Sequence, residues 1–260
     1  MNPKEIFLKN LEEIKQRFLL RMTGLLSGSV DRAELARLVA ELDLFRELQA
    51  EGFTDALDTF LDDYDEQLQD LIELAEIQKV RDTFSTNRNL FEFFKTKDAE
   101  KLLGSAKFYA DDFQKQMVLG ISEGKPFNEV TKQLENLPLT TAQVNSAVTT
   151  GYNDYGRSLT ALTYADEPEQ KFLYVGTIIP TSSKQCTWLL INQNMDGYTK
   201  EEIDKVIQTP FGGIDWNGRL SRFNCDDRWL PATNEIRKRA KQFAEQNKLL
   251  AEKILKGKGK

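Results

Sequence analysis

The chain has 260 residues, contains no histidine at all, and carries only two cysteines. The missing histidine excludes Ser–His–Asp and Cys–His catalysis, histidine-ligated zinc and imidazole proton shuttling together. Any turnover would have to run on carboxylates, Lys, Tyr or Cys. Two cysteines cannot build a disulfide scaffold or a four-thiolate zinc site. Their simplest reading is a pair of free thiols in a reducing cytoplasm. No apolar run approaches the roughly 18 residues needed to span a bilayer, so no membrane partner is expected. Met1 to Leu26 has charges throughout and no apolar core leading to a small-residue cleavage site, which does not suit a signal peptide. The expectation is a protein of the cytosol, or of a particle assembled there, with no catalytic residue, cofactor or metal.

What is present is ordinary in amount and uneven in placement. A hydrophobic fraction of 40% with 29% charge suits a globular chain of one large domain or two modest ones. The net charge of −6 hides an asymmetry. From Glu41 to Glu76 there are 13 acidic residues against the single Arg46, whereas Ala232 to Lys260 holds nine basic and three acidic residues.

The first half is helical by period. Asn2 is placed to cap, Pro3 suits the first helical position and Glu5 sits in the first turn. Phe7, Leu11, Ile14, Phe18 and Leu25 form one face, and Gly24 with Ser27-Gly28-Ser29 ends it. Asp31 and Glu34 open the next helix. The acidic segment predicts one amphipathic helix along Phe53, Leu57, Phe60, Leu61, Tyr64, Leu68, Leu71, Ile72 and Ala75. Its carboxylates fall mostly off that stripe, as a solvated face; a cation site is the competing reading, without the Glu-x-x-His pairs that helical di-metal sites use.

After Asn87 an interrupted helical pattern follows through Phe91, Phe94, Leu102, Phe108, Phe113 and Met117. Gly120, Gly124, Pro126 and Pro138 punctuate it. Thr140 and Gln143 predict a capping box for a helix marked by Val144, Val148, Tyr152, Tyr155, Leu159 and Leu162. Gly151 and Gly156 lie inside that helix at about 1 kcal/mol each relative to alanine, which suggests close packing against a neighbour or a marginal helix.

The texture changes at Glu167-Pro168. Lys171 to Gly176 reads as a short strand, Thr181 to Ile191 as a helix, and Thr199 to Gln208 as another capped by Thr199 and Glu202. Thr209 to Leu230 reads as a long irregular stretch of the kind usually kept for function. The last helix, from about Thr233, carries Ile236, Ala240, Phe243, Asn247, Leu250 and Ile254 as a short heptad seam. Too short to stand alone, it needs a partner surface in cis or in trans. The fold class is therefore mainly α with a small α+β C-terminal region: a helical bundle, an irregular Gly-rich loop and a long C-terminal helix. The expected domains are an acidic helical region at 1–110, an α+β domain at 111–231 and a basic helix and tail at 232–260.

The densest cluster of unusual residues holds both cysteines. Tyr174-Val-Gly176 leads toward Cys186, and a Gly-rich loop delivers Asn224, Cys225, Arg228, Trp229 and Pro231. This block resembles the C-terminal signature of the phage head morphogenesis family, the Mu F-like minor head proteins. In that family a Tyr-x-Gly strand precedes a cysteine-bearing helix, and a segment of Asn-Cys-Arg-x-Arg-Trp-x-Pro type closes the domain. The resemblance runs from about Asp111 to Pro231, and Asp226 stands where the family has Arg. Cys186 and Cys225 read as packing near one another and tethering the loop to the short helix; a disulfide formed after lysis or a metal pair are the competing readings. Arg228 and Trp229 read as closing the fold through a salt bridge and an apolar plug, or else as anchors on a partner.

The resemblance implies a minor head protein of a tailed phage, at or near the portal vertex, acting in head assembly or in DNA packaging and delivery. Its partners would be the portal protein and the major capsid or scaffolding protein, in the virion head and, during assembly, in the host cytoplasm. Arg237, Lys238, Arg239 and Lys241, with Lys256, Lys258 and Lys260 of the tail, are candidates for a partner contact or a non-specific DNA contact. One alternative is a helical adaptor or regulator outside a virion. Another is an ADP-ribosyltransferase-like enzyme using Arg157 or Glu201-Glu202, although no ordered Arg…Ser-Thr-Ser…Glu-x-Glu series is present.

Overall fold

A computed structural model of the chain describes residues 2–26, 31–74, 77–180, 182, 184–203, 205 and 227–257. It is mainly α with a small α+β region, as expected. The chain divides into two compact units. One holds residues 1–63 and 95–148; the other holds 64–94 and 149–260.

The first unit is built on α1 (Pro3–Leu26), α2 (Arg32–Glu41), α3 (Leu44–Leu48), α4 (Thr54–Asp62), most of α7 (Arg88–Ser122), α8 (Phe127–Glu135) and the start of α9 (Ala142–Thr163). Its N-terminal cap forms as the sequence suggests: Asn2 Oδ1 accepts from the Lys4 amide, and Glu5 Oε2 accepts from the Asn2 amide. Phe7, Leu11, Ile14 and Phe18 are buried. The stripe then steps by fours to Met22 and Leu26, leaving Leu25 more than half exposed. The helix also runs through Gly24 rather than ending there, while residues 27–30 lie outside those described. Phe7 stacks on Phe60 at 4.7 Å, and Phe18 meets Phe113 edge-on at 5.0 Å, which fixes α1 against α4 and α7.

Two polar ties hold this unit. Buried Lys15 donates to the Glu135 carbonyl at 2.8 Å, placing a cation on the C-terminus of α8. The Gln114 amide donates to Val39 O and Leu42 O, satisfying carbonyls that the end of α2 leaves over. At Gly52 the backbone takes φ +100, a left-handed value that glycine adopts without strain, in a π-turn joining α3 to α4.

The acidic segment is not one helix. α4 ends at Asp62, a 3₁₀ turn covers Asp63–Asp65, and α5 (Glu66–Leu74) follows. Tertiary packing forces the break: Tyr64 is wholly buried between Tyr152 at 5.5 Å and Tyr155 at 5.3 Å, and Tyr155 donates its hydroxyl to Asp65 Oδ1 at 2.7 Å. Burial, reinforced by that carboxylate, pushes the Tyr155 phenol well above its ordinary value. Gln67, rather than Leu68, is the buried residue at the next turn, and it donates to the Tyr152 carbonyl. Gly156 makes this approach feasible, because a methyl group there would overlap the Gln67 side-chain carbonyl. Its cost to α9 is thus the close packing that the sequence hinted at.

The interrupted pattern after Asn87 is a single 35-residue helix, α7, continuing through Gly104 and Gly120. Gly120 admits Val130 of α8, whose methyl would lie 2.8 Å from an added Cβ. Phe108, one of the residues marking that pattern, is 73% exposed, and Tyr109 beside it takes the buried position. The cap of α9 is Thr141, whose hydroxyl accepts from the Val144 amide at 3.1 Å; Thr140 instead donates to Glu12.

The second unit adds α5, α6 (Ile77–Thr86), the rest of α9, β1 (Phe172–Val175), α10 (Lys184–Asn192), β2 (Arg228–Pro231) and α11 (Asn234–Gly257). β1 and β2 pair antiparallel, Phe172 opposite Pro231 and Tyr174 opposite Trp229. Arg228–Pro231 was expected to fall in or beside irregular chain; it is a strand because its partner lies in β1. Pro231 occupies a position that gives no hydrogen bond to β1, so its missing N–H costs nothing there. Thr199 and Glu202 form the predicted reciprocal capping box, at 2.8 and 3.3 Å. No helix is long and apolar enough to cross a membrane among the described residues.

Candidate functional site

A two-stranded ribbon has two open edges, and backbone groups buried there need partners. β2 covers one edge of β1. Along the other, each polar pair is met in turn. Phe172 exchanges hydrogen bonds with the Tyr198 backbone at 2.8 and 2.9 Å. The buried Gln193 amide accepts from Tyr174 N at 2.8 Å and donates to Tyr174 O at 2.6 Å. The buried Asn247 amide of α11 accepts from Ile178 N at 2.9 Å and donates to Gly176 O at 3.1 Å. Two side-chain amides therefore act as substitute strand. Gln193 carries no sign of this in the sequence, and Asn247 shows only as a polar residue on the otherwise apolar seam of α11.

That seam is met in cis in part. Ile236, Ala240 and Asn247 are buried together with Ala244, and Phe243 and Leu250 are half-buried. The Ile254 side chain lies outside the described residues, and α11 packs on both β1 and α10. Thr233 caps the helix, its hydroxyl accepting from Ile236 N at 3.3 Å.

The family-like residues fall together within this module. Tyr174 and Trp229 are cross-strand partners with ring centroids 5.1 Å apart, and Tyr198 meets Trp229 edge-on at 6.1 Å. The Tyr174 hydroxyl lies 3.3 Å from Cys186 Sγ, and Cys186 is buried in the cluster with Phe172, Leu189 and Leu190. Trp229 is 5% exposed, so it is the apolar plug rather than a displayed anchor. A Cβ on Gly176 would overlap the Asp227 carboxylate, so the strand end needs glycine for that approach. Arg157 of α9 donates to Asp227 O at 3.0 Å and pairs with Asp154 at 3.1 Å, which ties the approach to β2 back onto α9. Arg228 lines a small cavity with Gln67, Gly156 and Thr160. Asn224 and Cys225 lie outside the described residues, and with them the expected juxtaposition of the two thiols.

The basic set separates into two kinds. Arg237 is structural: its guanidinium donates to Ala232 O at 3.0 Å and Met195 O at 3.1 Å, and it approaches Asp196 at 3.4 Å. Arg239 reaches Glu235 at 3.6 Å one turn earlier. Lys238 and Lys241 are exposed on α11. The Lys256 side chain, Lys258 and Lys260 are outside the described residues. Of the residues considered for an enzyme, Arg157 is engaged as above, Glu202 is in the capping box, and Glu201 pairs with Lys205 at 2.6 Å. No three Cys, Asp and Glu side chains come together as a metal-holding group among the described residues.

No family model, no curated protein and no solved structure matches the chain.

Proposed function

We propose that the chain is a structural minor head protein of a tailed phage. It would bind at or near the portal vertex and act in head assembly or in DNA packaging and delivery. The observation that carries this reading is the use of the family-like residues. Tyr174, Gly176, Cys186, Trp229 and Pro231 sit in one α+β module and are spent on its packing. A motif used this way maintains a shape, and a shape is what an assembly component has to offer. The portal protein is the proposed partner, with the major capsid or scaffolding protein as further neighbours. The exposed Lys238 and Lys241, continued by the basic tail, suit a sequence-independent contact with packaged DNA. No turnover is needed for this role.

The test is the content of purified particles from the same genome. The reading expects the chain in mature heads at a few copies per particle, and expects heads made without it to be misassembled or non-infectious. Particles that lack the chain and remain fully infectious would rule it out.

A further inference from the structure

One strip of α7 in the first unit complements a second copy of itself. Lys101, Gly104, Ser105, Phe108 and Asp112 follow one another at steps of one, three and four, so they share one flank of the helix. That flank and the Leu137-Pro138-Leu139 segment between α8 and α9 line a half-open groove of about 530 Å³. The buried side of α7 is elsewhere on the helix, at Leu102, Ala106, Phe113 and Met117.

The strip combines a knob and a notch. Phe108 is 73% exposed at the groove, so ring and groove form one continuous apolar surface. Gly104, one turn before it, is exposed, and a Cβ there would meet nothing within 4 Å. Gly120 on the same helix makes room for Val130, whereas no neighbour in the unit requires a glycine at 104. Glycine inside a helix costs about 1 kcal/mol relative to alanine.

It also carries opposite charges at its two ends. Lys101 and Asp112 stand 11 residues apart, about 16 Å along the axis. The Lys101 side chain is 62% exposed and reaches Asp98 of its own helix at 2.9 Å, which leaves ammonium donors for a second carboxylate. Asp112 has no cation beside it among the described residues.

The order along the strip is therefore cation, notch, ring, anion. A two-fold axis between residues 106 and 107 turns that order into its own complement. Residues equidistant from the axis then face each other, on the same flank. Phe108 of one copy meets Ser105 beside Gly104 of the other, and Lys101 meets Asp112. Each contact is made twice, as an isologous interface requires. The first pairing is one of shape and the second one of charge, yet both call for the same axis.

We propose that the chain forms a two-fold dimer through this strip. The two α7 helices pack antiparallel, each Phe108 ring fills the other copy's groove over Gly104, and each Lys101 pairs with the other copy's Asp112. A contact of this extent lies at the small end of specific interfaces, so the dimer is reversible. None of these residues is used by the phage reading, and the two inferences stand or fall separately.

Sedimentation velocity of the full chain over roughly 1–200 µM reads the association. The average mass should climb from monomer towards dimer and no further, because an isologous interface closes on itself. Phe108→Glu should remain monomeric throughout while keeping the parent's helical spectrum. Gly104→Leu fills the notch and should weaken the dimer at least about tenfold, although it improves helix propensity. Lys101→Glu and Asp112→Lys each set like charges against one another, and each alone should dimerise at least about tenfold more weakly. Mixed together they restore both ion pairs, and the mixed dimer should approach the parent's affinity. A parent chain that stays monomeric at the top of that range, or a Phe108→Glu chain that dimerises undiminished, would overturn the proposal. A mixture that associates no better than either charge variant alone would overturn the antiparallel pairing.

Discussion

Replacing Asn247 by leucine separates two ways of reading the last helix. On the heptad pattern alone, leucine completes an apolar seam and should stabilise by up to about 1.5–3 kcal/mol, the value of a fully buried aliphatic side chain. The structure gives the opposite sign. Asn247 is wholly buried, and its amide satisfies both Ile178 N and Gly176 O. Leucine removes both partners at once, and each orphaned buried group costs about 1–3 kcal/mol. The branched side chain must also occupy a site shaped for a planar amide, for roughly 1–3 kcal/mol more. The losses outweigh the gain by several kcal/mol, about 4 at mid-range, or roughly a thousandfold rise in local opening. Because the chain has two compact units, a single unfolding midpoint would blend them. Native-state hydrogen exchange reads the site directly. The Ile178 amide should lose at least about tenfold in protection, and the Tyr174 amide, still held by Gln193, should lose less. If Asn247→Leu instead raises stability, or leaves Ile178 protected as before, side-chain amides do not complete the sheet edge and this reasoning fails.

Other consequences follow the same logic. Gly156→Ala should destabilise the second unit by about 1–3 kcal/mol by urea titration, despite a helix-propensity gain near 1 kcal/mol. Combining it with Gln67→Ala should cost clearly less than the sum of the two, because the overlap they share is gone. For Tyr109 and Tyr155 the folded-state pKa lies above the ordinary value of 10.0, so the folded chain holds more protons than the unfolded one in alkali. Their contribution is complete below pH 10.0 and is lost as pH rises beyond it. In a tyrosinate absorbance titration, Tyr109 and Tyr155 should be among the tyrosines that ionise only together with unfolding. The basic residues of α11 should separate by assay. Lys238→Gln with Lys241→Gln should lower the salt dependence of DNA binding by up to about 2 in slope without moving the melting temperature. Arg237→Gln should lower the melting temperature, since it removes hydrogen bonds to Ala232 O and Met195 O.

Much of the architecture was legible locally, and the parts that were not depend on distant residues. The Asn2–Glu5 start of α1 and the Thr199–Glu202 box are short-range chemistry, and both form as read. The acidic helix breaks at Asp63–Asp65 because Tyr64 and Asp65 answer to α9, which no periodicity inside the segment reveals. β2 escaped notice for a similar reason. Four residues ending in proline carry no strand pattern of their own, and only pairing with β1 makes them one. Phe108 shows how coarse an aromatic stripe can be. On a helix, a one-residue offset turns a side chain by about 100°, and Tyr109 holds the core-facing place. Of the candidate site, Tyr174, Cys186 and Trp229 were visible as unusual residues and do converge. Gln193 and Asn247 were not, because an amide looks alike in sequence whether it faces water or finishes a sheet.

The central claim is membership of the head assembly, and co-purification with the portal protein of the same genome tests it most directly. The chain and the portal should be isolated together at low salt and again at 0.5 M, where the Debye length has fallen to roughly 4 Å and exposed charges are largely screened. The account predicts a stoichiometric complex that persists at the higher salt. No complex at either salt would contradict it, and the chain would then stand as a helical adaptor outside the particle.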